Sequence, residues 1–188
     1  MKKVELFEHN EIAYKKLIKS LENNKCTTIN HATGTGKSFI MLKYLYENRD
    51  KKVLYIAPTY PIIDQIKKSA KEIGIKSDEL NMDTIIYRSL LTMDMNELYK
   101  KYDVIVFDEY HRTGATETFK KIKELKLLLS QSNDNKKFIG LTATPIRYLD
   151  DERNMTEEIF DGNVASTLSI AEAMLEEILP VPLYIVLK

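Results

Sequence analysis

Residues 34–38, with the sequence Gly-Thr-Gly-Lys-Ser, constrain the fold of this chain more than any other segment. They follow a short β-prone segment, residues 26–30, and precede an apolar segment of helical character, residues 39–46. A glycine-containing turn between a strand and a helix lets backbone N–H groups surround phosphate oxygens, while the helix directs its positive N-terminal end at the same anion. The sequence therefore predicts a phosphate loop, in which Lys37 reaches the β- and γ-phosphates of a nucleotide and Ser38 binds Mg²⁺ through its hydroxyl.

The match to the general eight-residue phosphate-loop pattern is incomplete, because this chain has His31 where the pattern has glycine. For the segment taken alone, the alternative is a flexible turn that carries a surface lysine. The choice between the two interpretations depends on what else the chain carries.

Strand and helix patterns alternate along most of the chain. Apolar residues at helical spacing predict helices, and short continuous apolar runs predict buried strands. The predicted helices cover residues 8–22, 39–46, 62–70, 119–130 and 168–179, the predicted strands cover residues 26–30, 53–57, 84–87, 104–107, 138–141 and 183–187, and residues 150–158 are predicted as a loop or short helix. This alternation predicts an α/β fold with a mostly parallel sheet covered by helices on both faces.

Composition excludes several classes of function. Lys and Arg number 28, as do Asp and Glu, so the chain has no overall basic charge that would attract nucleic acid, and any such contact is local. The single cysteine, Cys26, excludes an internal disulfide, and no set of Cys and His has metal-ligand spacing. No apolar run approaches the roughly 20 residues of a membrane span, so we expect a cytoplasmic protein without a membrane partner.

Lysines on the predicted helix at residues 119–130 have two interpretations. They could form a basic patch for nucleic acid, but their spacing fits the solvated face of a helix at least as well. The residues are Lys120, Lys121, Lys123 and Lys126.

Two adjacent carboxylates, Asp108 and Glu109, directly follow the predicted strand at residues 104–107. This position is the carboxyl edge of the sheet, where ligands bind in open α/β folds. Asp108 can hold Mg²⁺ through water, and Glu109 can orient and deprotonate the water that attacks a γ-phosphate. Alone, the pair is better explained as a solvated loop; together with a phosphate loop upstream, it favours a site for ATP and Mg²⁺.

Four segments, each at the carboxyl end of a predicted strand, resemble the motifs of superfamily 2 helicases in their family order. Residues 32–38 resemble motif I, residues 57–59 with Gln65 resemble motif Ia, residues 108–111 (Asp-Glu-Tyr-His) resemble motif II, and residues 142–145 (Thr-Ala-Thr-Pro) resemble motif III. In motif I of this family the position of His31 is variable. The resemblance implies a RecA-like phosphate-loop NTPase domain, the first of two in such motors. The Asp-Glu-Tyr-His variant and residues 160–182 are most similar to motor subunits of type I and type III restriction enzymes and related DNA translocases.

The resemblance also implies roles for individual residues. Asn10 stands where many members carry an adenine-reading glutamine, and His111 would link the γ-phosphate to movement of a partner domain. The implied nucleotide-binding residues are Asn10, Thr33, Gly34, Thr35, Gly36, Lys37 and Ser38, the catalytic residues are Lys37, Asp108, Glu109 and His111, the Mg²⁺ ligands are Ser38 and Asp108, the coupling residues are Thr142 and Thr144, and the nucleic-acid contacts are Thr59, Arg88 and Ser89.

Several of these residues have an ordinary structural alternative. Asn10 could cap a helix N-terminus, and His111 could be a loop histidine with satisfied hydrogen bonds. Thr142 and Thr144 could be turn residues before Pro145, and Arg88 could be a solvated surface charge.

From this resemblance we expect the ATP-binding half of a nucleic-acid-dependent ATPase that translocates along DNA or unwinds it. Residues 1–165 would form the first RecA-like domain, and residues 166–188 would lead to a second one, which supplies arginines that this chain lacks. Without them, hydrolysis should be very slow. The expected partners are nucleic acid, with DNA favoured over RNA, the second RecA-like domain of a longer chain, and restriction-modification subunits. The alternatives are a nucleotide-dependent binding module without turnover and an RNA helicase.

Overall fold

The computed structural model describes residues 4–114, 116–144, 146–147 and 153–181. Pro145, residues 150–152 of the predicted loop and the predicted strand at residues 183–187 lie outside this part of the chain. The part that is described contains eight strands and seven α-helices with short 3₁₀ helices between them.

The elements follow the alternation that the sequence predicts. The strands are β1 (Cys26–His31), β2 (Val53–Ala57), β3 (Met82–Ile86), β4 (Val104–Asp108), β5 (Lys137–Thr142), β6 (Ile146–Arg147), β7 (Arg153–Asn154) and β8 (Val164–Leu168). The helices are α1 (Glu8–Asn23), α2 (Lys37–Glu47), α3 (Tyr60–Glu72), α4 (Met95–Lys101), α5 (Thr116–Gln131), α6 (Met155–Phe160) and α7 (Ile170–Leu175). The 3₁₀ helices are Ser77–Glu79, Tyr87–Thr92 and Tyr110–Gly114.

Six strands form one sheet in the order β3-β2-β4-β5-β1-β8, and every pair in it is parallel. The central strands are buried along their whole length, which is why they appear in the sequence as continuous apolar runs. β6 and β7 form a separate antiparallel pair. The predicted α/β class with a parallel sheet is confirmed.

Helices cover both faces of the sheet and bury two apolar cores. One core lies between the sheet and α1 to α3, and its members include Leu17, Ile40 and Ile66. The other lies between the sheet and α4 to α6, where Phe107 packs edge to face against Phe160 with ring centroids 6.0 Å apart. Because every strand in the sheet is parallel, all the strands of this two-sided layer end at the same edge.

Two predicted elements are wrong in part. The strand predicted at residues 84–87 begins earlier and ends at Ile86, and Tyr87 starts a 3₁₀ helix. The helix predicted at residues 168–179 begins at Ile170, because Leu168 ends β8 and Ser169 caps α7 by accepting from the Glu172 N–H. A capping residue ends the strand and starts the helix, a signal that apolar spacing does not contain.

β8 and α4 are absent from the sequence predictions. β8 is an edge strand with an exposed Val164, and α4 is only seven residues long, so neither has a clear apolar pattern. β8 pairs with β1 through Leu168, so the predicted domain border after residue 165 falls within this strand. No helix in the described part of the chain is long and apolar enough to cross a membrane.

Candidate nucleotide-binding site

The loop between β1 and α2 has the backbone of a phosphate loop. Gly34 and Gly36 have φ angles of 87° and 91°, in the left-handed region that residues with a side chain rarely adopt. A Cβ atom on Gly36 would also lie 2.4 Å from Nδ2 of Asn10. Both glycines are therefore required by the path of the loop, which ends with Lys37 as the first residue of α2.

The side chain of Lys37 folds back over this loop. Its ammonium group donates to the main-chain carbonyls of His31 at 2.8 Å and Ala32 at 3.4 Å, and the residue is only 9% exposed. Burial lowers the pKa of Lys37, an effect that the negative charges of Glu109 and Asp108 oppose. The alternative of a surface lysine on a flexible turn is wrong, because the ammonium is held inside the loop where an anion can be received.

The other loop residues divide into an outer and an inner group. Thr33 and Gly34 are exposed at the tip, whereas Thr35 is buried and donates its hydroxyl to the Ala32 carbonyl at 2.7 Å. Ser38 is the second residue of α2 and is half-buried. Its hydroxyl thus belongs to the first turn of a helix whose N-terminus faces the loop, as a Mg²⁺ ligand beside bound phosphates requires.

The first turn of α1 braces the loop from below. His9 donates its Nε2–H to the Thr35 carbonyl at 2.9 Å. Asn10 is 1% exposed with its amide against Gly36, and its Oδ1 has no hydrogen-bond partner in the part of the chain described. Phe7, not Asn10, is the N-cap of α1, so the interpretation of Asn10 as a cap is wrong. Its role in adenine recognition stays a prediction.

A cavity of about 380 Å³ opens beside Asn10. Phe7 stands at its rim, is 75% exposed, and stacks parallel to the His9 ring at a centroid distance of 6.1 Å. The cavity is lined by Glu5, Leu6, Phe7, Asn10, Phe39 and Ile73. An exposed aromatic ring next to a phosphate loop offers a stacking surface for a nucleotide base.

Asp108 is the last residue of β4, and its carboxylate is enclosed by hydrogen-bond donors. Oδ2 accepts from the Tyr55 hydroxyl at 2.5 Å, and Oδ1 accepts from the Glu109 N–H at 2.9 Å. Burial raises the pKa of Asp108 to about 6, although the Tyr55 hydrogen bond lowers it. The sequence analysis missed Tyr55. The only signal there is a hydroxyl within a strand buried on both faces, where it needs a partner.

Glu109 differs from its neighbour in both backbone and charge. It has a φ of 48°, and its carboxylate lies 3.3 Å from Nδ1 of His111. Burial raises its pKa, but the hydrogen bond from His111 and the positive charge of Lys37 outweigh this, so the pKa lies below its usual value. Two adjacent carboxyl groups therefore have pKa values shifted in opposite directions, as expected where one binds metal and the other acts as a base.

His111 connects the end of β4 to the end of β5. The Thr142 hydroxyl donates its one hydrogen to the Thr144 carbonyl at 2.9 Å, so it accepts from Nδ1–H of His111 at 2.8 Å. Thr142 is fully buried and Thr144 is exposed. The structure brings these three predicted coupling residues together, with Glu109 at one end of the chain of contacts.

The predicted nucleic-acid contacts lie at the same edge, beyond the carboxylates. Ala57 pairs with Ile86, so the segments that follow β2 and β3 start side by side. Thr59 is exposed and is the N-cap of α3, yet its side chain makes no capping hydrogen bond. Arg88 is exposed and Ser89 half-buried on the 3₁₀ helix after β3. The hydroxyl of Thr59 and the guanidinium of Arg88 are accessible to a ligand.

The lysines of α5 have partners within the protein. Lys121 donates to the Met93 carbonyl at 3.1 Å, and Lys126 contacts Asp161 at 2.5 Å. Lys120 pairs with Glu117 at 2.9 Å, and Lys123 lies over the Phe119 ring. These contacts favour the interpretation as a solvated helix face.

A cation at this site would depend on the nucleotide for most of its ligands. Within the described ranges, no three His, Cys, Asp or Glu residues are grouped closely enough to hold a metal ion. Mg²⁺ suits such a site, because it retains several waters and takes one or two protein ligands together with phosphate oxygens. Asp108, Ser38 and the glycine loop supply the oxygen donors and the phosphate cradle that this arrangement needs.

Comparisons with known proteins agree with this geometry. The ResIII family model, described as "Type III restriction enzyme, res subunit", matches residues 3–147. The chain is 26% identical over 165 residues to "ATP-dependent DNA helicase MPH1" of Coccidioides immitis, an alignment that covers 73% of this chain and 14% of the relative. The chain thus spans about one seventh of the length of this relative.

Solved structures with the same fold include two proteins that act with helicase domains or DNA in their titles. The Pyrococcus furiosus Hef helicase domain matches with a TM-score of 0.58 and 19% identity over 85% of this chain and 37% of that one. The "ATP-dependent Type ISP restriction-modification enzyme LlaBIII bound to DNA" matches with a TM-score of 0.61 and 20% identity over 93% of this chain and 16% of that one. At these identities the likeness establishes the fold, a helicase RecA-like domain.

The family match rests on residues that the geometry brings together. It includes the phosphate loop, the carboxylates at the end of β4 and the threonines at the end of β5. Because it covers well over half of the 188 residues, the chain belongs to the ResIII family of type III restriction enzyme res subunits.

Proposed function

We propose that this chain is the ATP-binding half of a nucleic-acid-dependent ATPase that translocates along DNA or unwinds it. The observation that carries the proposal is the position of three loops at one edge of the sheet. β5 lies between β1 and β4, so Lys37, Glu109 and Thr142 follow three neighbouring strands. Anion-binding loop, carboxylates and a hydroxyl relay are thereby available to one bound nucleotide.

Each group has a task in phosphoryl transfer to water. The loop N–H groups and the Lys37 ammonium bind the phosphates, and in doing so the ammonium leaves the carbonyls of His31 and Ala32. Mg²⁺, when bound through Asp108 and Ser38, neutralises charge that develops on the phosphate oxygens. Glu109, ionised because its pKa is lowered, orients the attacking water and accepts its proton.

The relay from Glu109 through His111 to Thr142 gives the site a way to report its state. A γ-phosphate near Glu109 would alter the contact between its carboxylate and His111, and His111 is held by Thr142 at the end of the next strand. Thr144 follows at the surface, where its main chain shares the Thr142 hydroxyl. We assign these residues the coupling of hydrolysis to movement of a second RecA-like domain.

DNA is the proposed track. Support comes from a relative that is named an ATP-dependent DNA helicase and from a solved structure of the same fold titled as bound to DNA. Thr59, Arg88 and Ser89 would contact phosphates of the backbone, since hydroxyls and arginine at the edge of a sheet position a strand without reading its bases. A neutral chain confines this contact to the sheet edge.

The complete motor would need a second RecA-like domain from a longer chain, together with restriction-modification subunits as further partners. The first domain includes β8, which is hydrogen-bonded to β1, and the segment after Leu168 would lead towards the second. An arginine supplied by that domain contributes roughly 10³ to 10⁵ in rate in related phosphate-loop enzymes. The chain by itself should therefore bind ATP and hydrolyse it very slowly.

The test is steady-state ATP hydrolysis and oligonucleotide binding by this chain. We expect turnover no higher than that of Lys37→Ala, with or without DNA, and binding of single-stranded or duplex DNA that changes when Mg-ATP is added. Lys67→Ala, at an exposed lysine of α3, is the matched control and should behave as wild type. Robust turnover by the chain would refute the half-motor proposal, and ATP-dependent retention of RNA in preference to DNA would replace the proposed track.

A further inference from the structure

Two tyrosine hydroxyls converge on Asp108 from neighbouring strands. Tyr55, in the middle of β2, donates to the Asp108 carboxylate at 2.5 Å. Tyr87, directly after β3, donates to the main-chain carbonyl of Asp108 at 2.9 Å. Tyr55 is 0% and Tyr87 6% exposed, so both contacts are made without competition from water.

The direction of these two hydrogen bonds is defined by chemistry. Burial raises the pKa of both phenols well above the usual value, and the Asp108 charge raises it further. Each phenol therefore keeps its proton, and a carbonyl or carboxylate oxygen can only accept. Both tyrosines act as donors to one residue.

The peptide unit between Asp108 and Glu109 is held at both of its polar ends. Its carbonyl accepts from Tyr87, and its N–H donates to Oδ1 of Asp108 at 2.9 Å. Glu109 needs this support because its φ of 48° lies in a region that residues with a side chain seldom occupy. The direction in which the Glu109 side chain leaves the strand depends on the orientation of this peptide unit.

We propose that Tyr55 and Tyr87 are positioning residues for the two carboxylates of the site. Tyr55 holds the Asp108 carboxylate in one orientation and leaves a second acceptor position on each of its oxygens for Mg²⁺-bound water. Tyr87 holds the peptide unit from which Glu109 projects. Neither phenol would touch the nucleotide, since each is buried beneath Asp108. This inference rests on the proposed function, because it assigns Asp108 to Mg²⁺.

The inference also connects the carboxylates to the surface. Tyr87 is the first residue of the 3₁₀ helix Tyr87–Thr92, which exposes Arg88 on its other side. A ligand that moves this helix would pull on the Asp108 carbonyl through a single hydrogen bond.

Tyrosine-to-phenylalanine variants test the proposal, because they remove one hydroxyl and retain the ring in the core. The measurement is the affinity for ATP in Mg²⁺ and in EDTA, and the ratio of the two is the gain due to Mg²⁺. Tyr44→Phe is the matched control: Tyr44 is buried in the same core as Tyr55, and its hydroxyl makes no hydrogen bond within the described residues. Thermal unfolding of each variant reports whether it is folded.

We expect Tyr55→Phe to reduce the gain due to Mg²⁺ about tenfold and Tyr87→Phe to reduce it about threefold, with affinities in EDTA within about twofold of wild type. Tyr44→Phe should change neither quantity. A gain that remains at the wild-type value in both variants overturns the proposal, as does an equal loss in Mg²⁺ and EDTA, which indicates a purely structural role. Wild-type protein that binds no ATP would instead refute the proposed function.

Discussion

The imidazole of His111 donates to the hydroxyl of Thr142 across 2.8 Å, and thereby joins the loop after β4 to the loop after β5. Thr142 is fully buried and has its own hydroxyl hydrogen engaged by the Thr144 carbonyl. The contact is thus directional, from the histidine to the threonine. It makes the histidine part of a relay that starts at the Glu109 carboxylate, not an isolated loop residue.

Thr142→Val should remove the acceptor for His111 without changing the shape of the side chain. We expect a loss of about 1 kcal/mol in the free energy of unfolding and an ATP affinity within about twofold of wild type. Thr144→Val is the matched control, because Thr144 contributes only main-chain atoms to the relay. Urea unfolding and ATP titration of both variants check this, and equal stability losses in the two would contradict the relay.

Asp108 should destabilise the fold at neutral pH. Its pKa is raised from 3.8 to about 6 by burial, so the folded state binds its proton more tightly than the unfolded state. Stability from this group is therefore fully present below pH 3.8 and is lost as the pH rises to about 6. A shift of this size corresponds to about 3 kcal/mol.

Asp108→Asn tests this pH dependence, because the amide stays neutral and the Tyr55 hydroxyl can rotate to accept from it. The variant should be more stable than wild type at pH 7, by up to about 3 kcal/mol, and the difference should vanish towards pH 4. Urea denaturation at several pH values measures it. A difference that does not depend on pH would show that the carboxyl is not shifted. The variant should also lose the gain in ATP affinity due to Mg²⁺.

Gly36→Ala should damage the loop in two ways. The new Cβ would have to occupy a φ of 91° and would lie 2.4 Å from Nδ2 of Asn10. We expect a loss of about 2 kcal/mol in unfolding free energy and at least about a tenfold loss in ATP affinity. Gly74→Ala, at a φ of 72° after α3, is the control for backbone strain and should retain ATP affinity. Wild-type ATP affinity in Gly36→Ala would contradict the assigned loop geometry.

Arg88→Ala should weaken DNA binding through loss of one phosphate contact. Such a contact makes the dependence of log affinity on log salt concentration shallower by about 1. Arg49→Ala is the matched control, because Arg49 is exposed just after α2, near the start of β2, at the opposite edge of the sheet. Salt titrations of single-stranded DNA binding compare the two. An unchanged slope for Arg88→Ala would remove this residue from the interface.

Much of the fold follows from local sequence pattern. Buried parallel strands must be apolar along their whole length, so β2 was predicted with its observed ends, and the glycines of the loop mark the start of α2 to within two residues. The predictions failed where pattern is weak. β8 is a half-exposed edge strand, and Tyr87 looks like the end of an apolar run but turns into a 3₁₀ helix to reach the Asp108 carbonyl.

The site was predictable in its residue types but not in its contacts. Lys37, Asp108 and Glu109 belong to short motifs, whereas their partners come from distant positions along the chain. Tyr55 lies 53 residues from Asp108, and His9 lies 26 residues from Thr35. Only the parallel order of the strands brings these groups together, and no local pattern records it.

The most direct test of a nucleotide site built on the β1–α2 loop is a calorimetric titration of Mg-ATP into this chain and into Lys37→Ala. We predict saturable binding at one site in the wild-type chain and a loss of affinity of at least about tenfold in the variant, since a charge-assisted contact to phosphate is removed. Lys67→Ala should bind as wild type does. Equal affinity in Lys37→Ala and wild type, or no binding by a folded wild-type chain, would contradict the account.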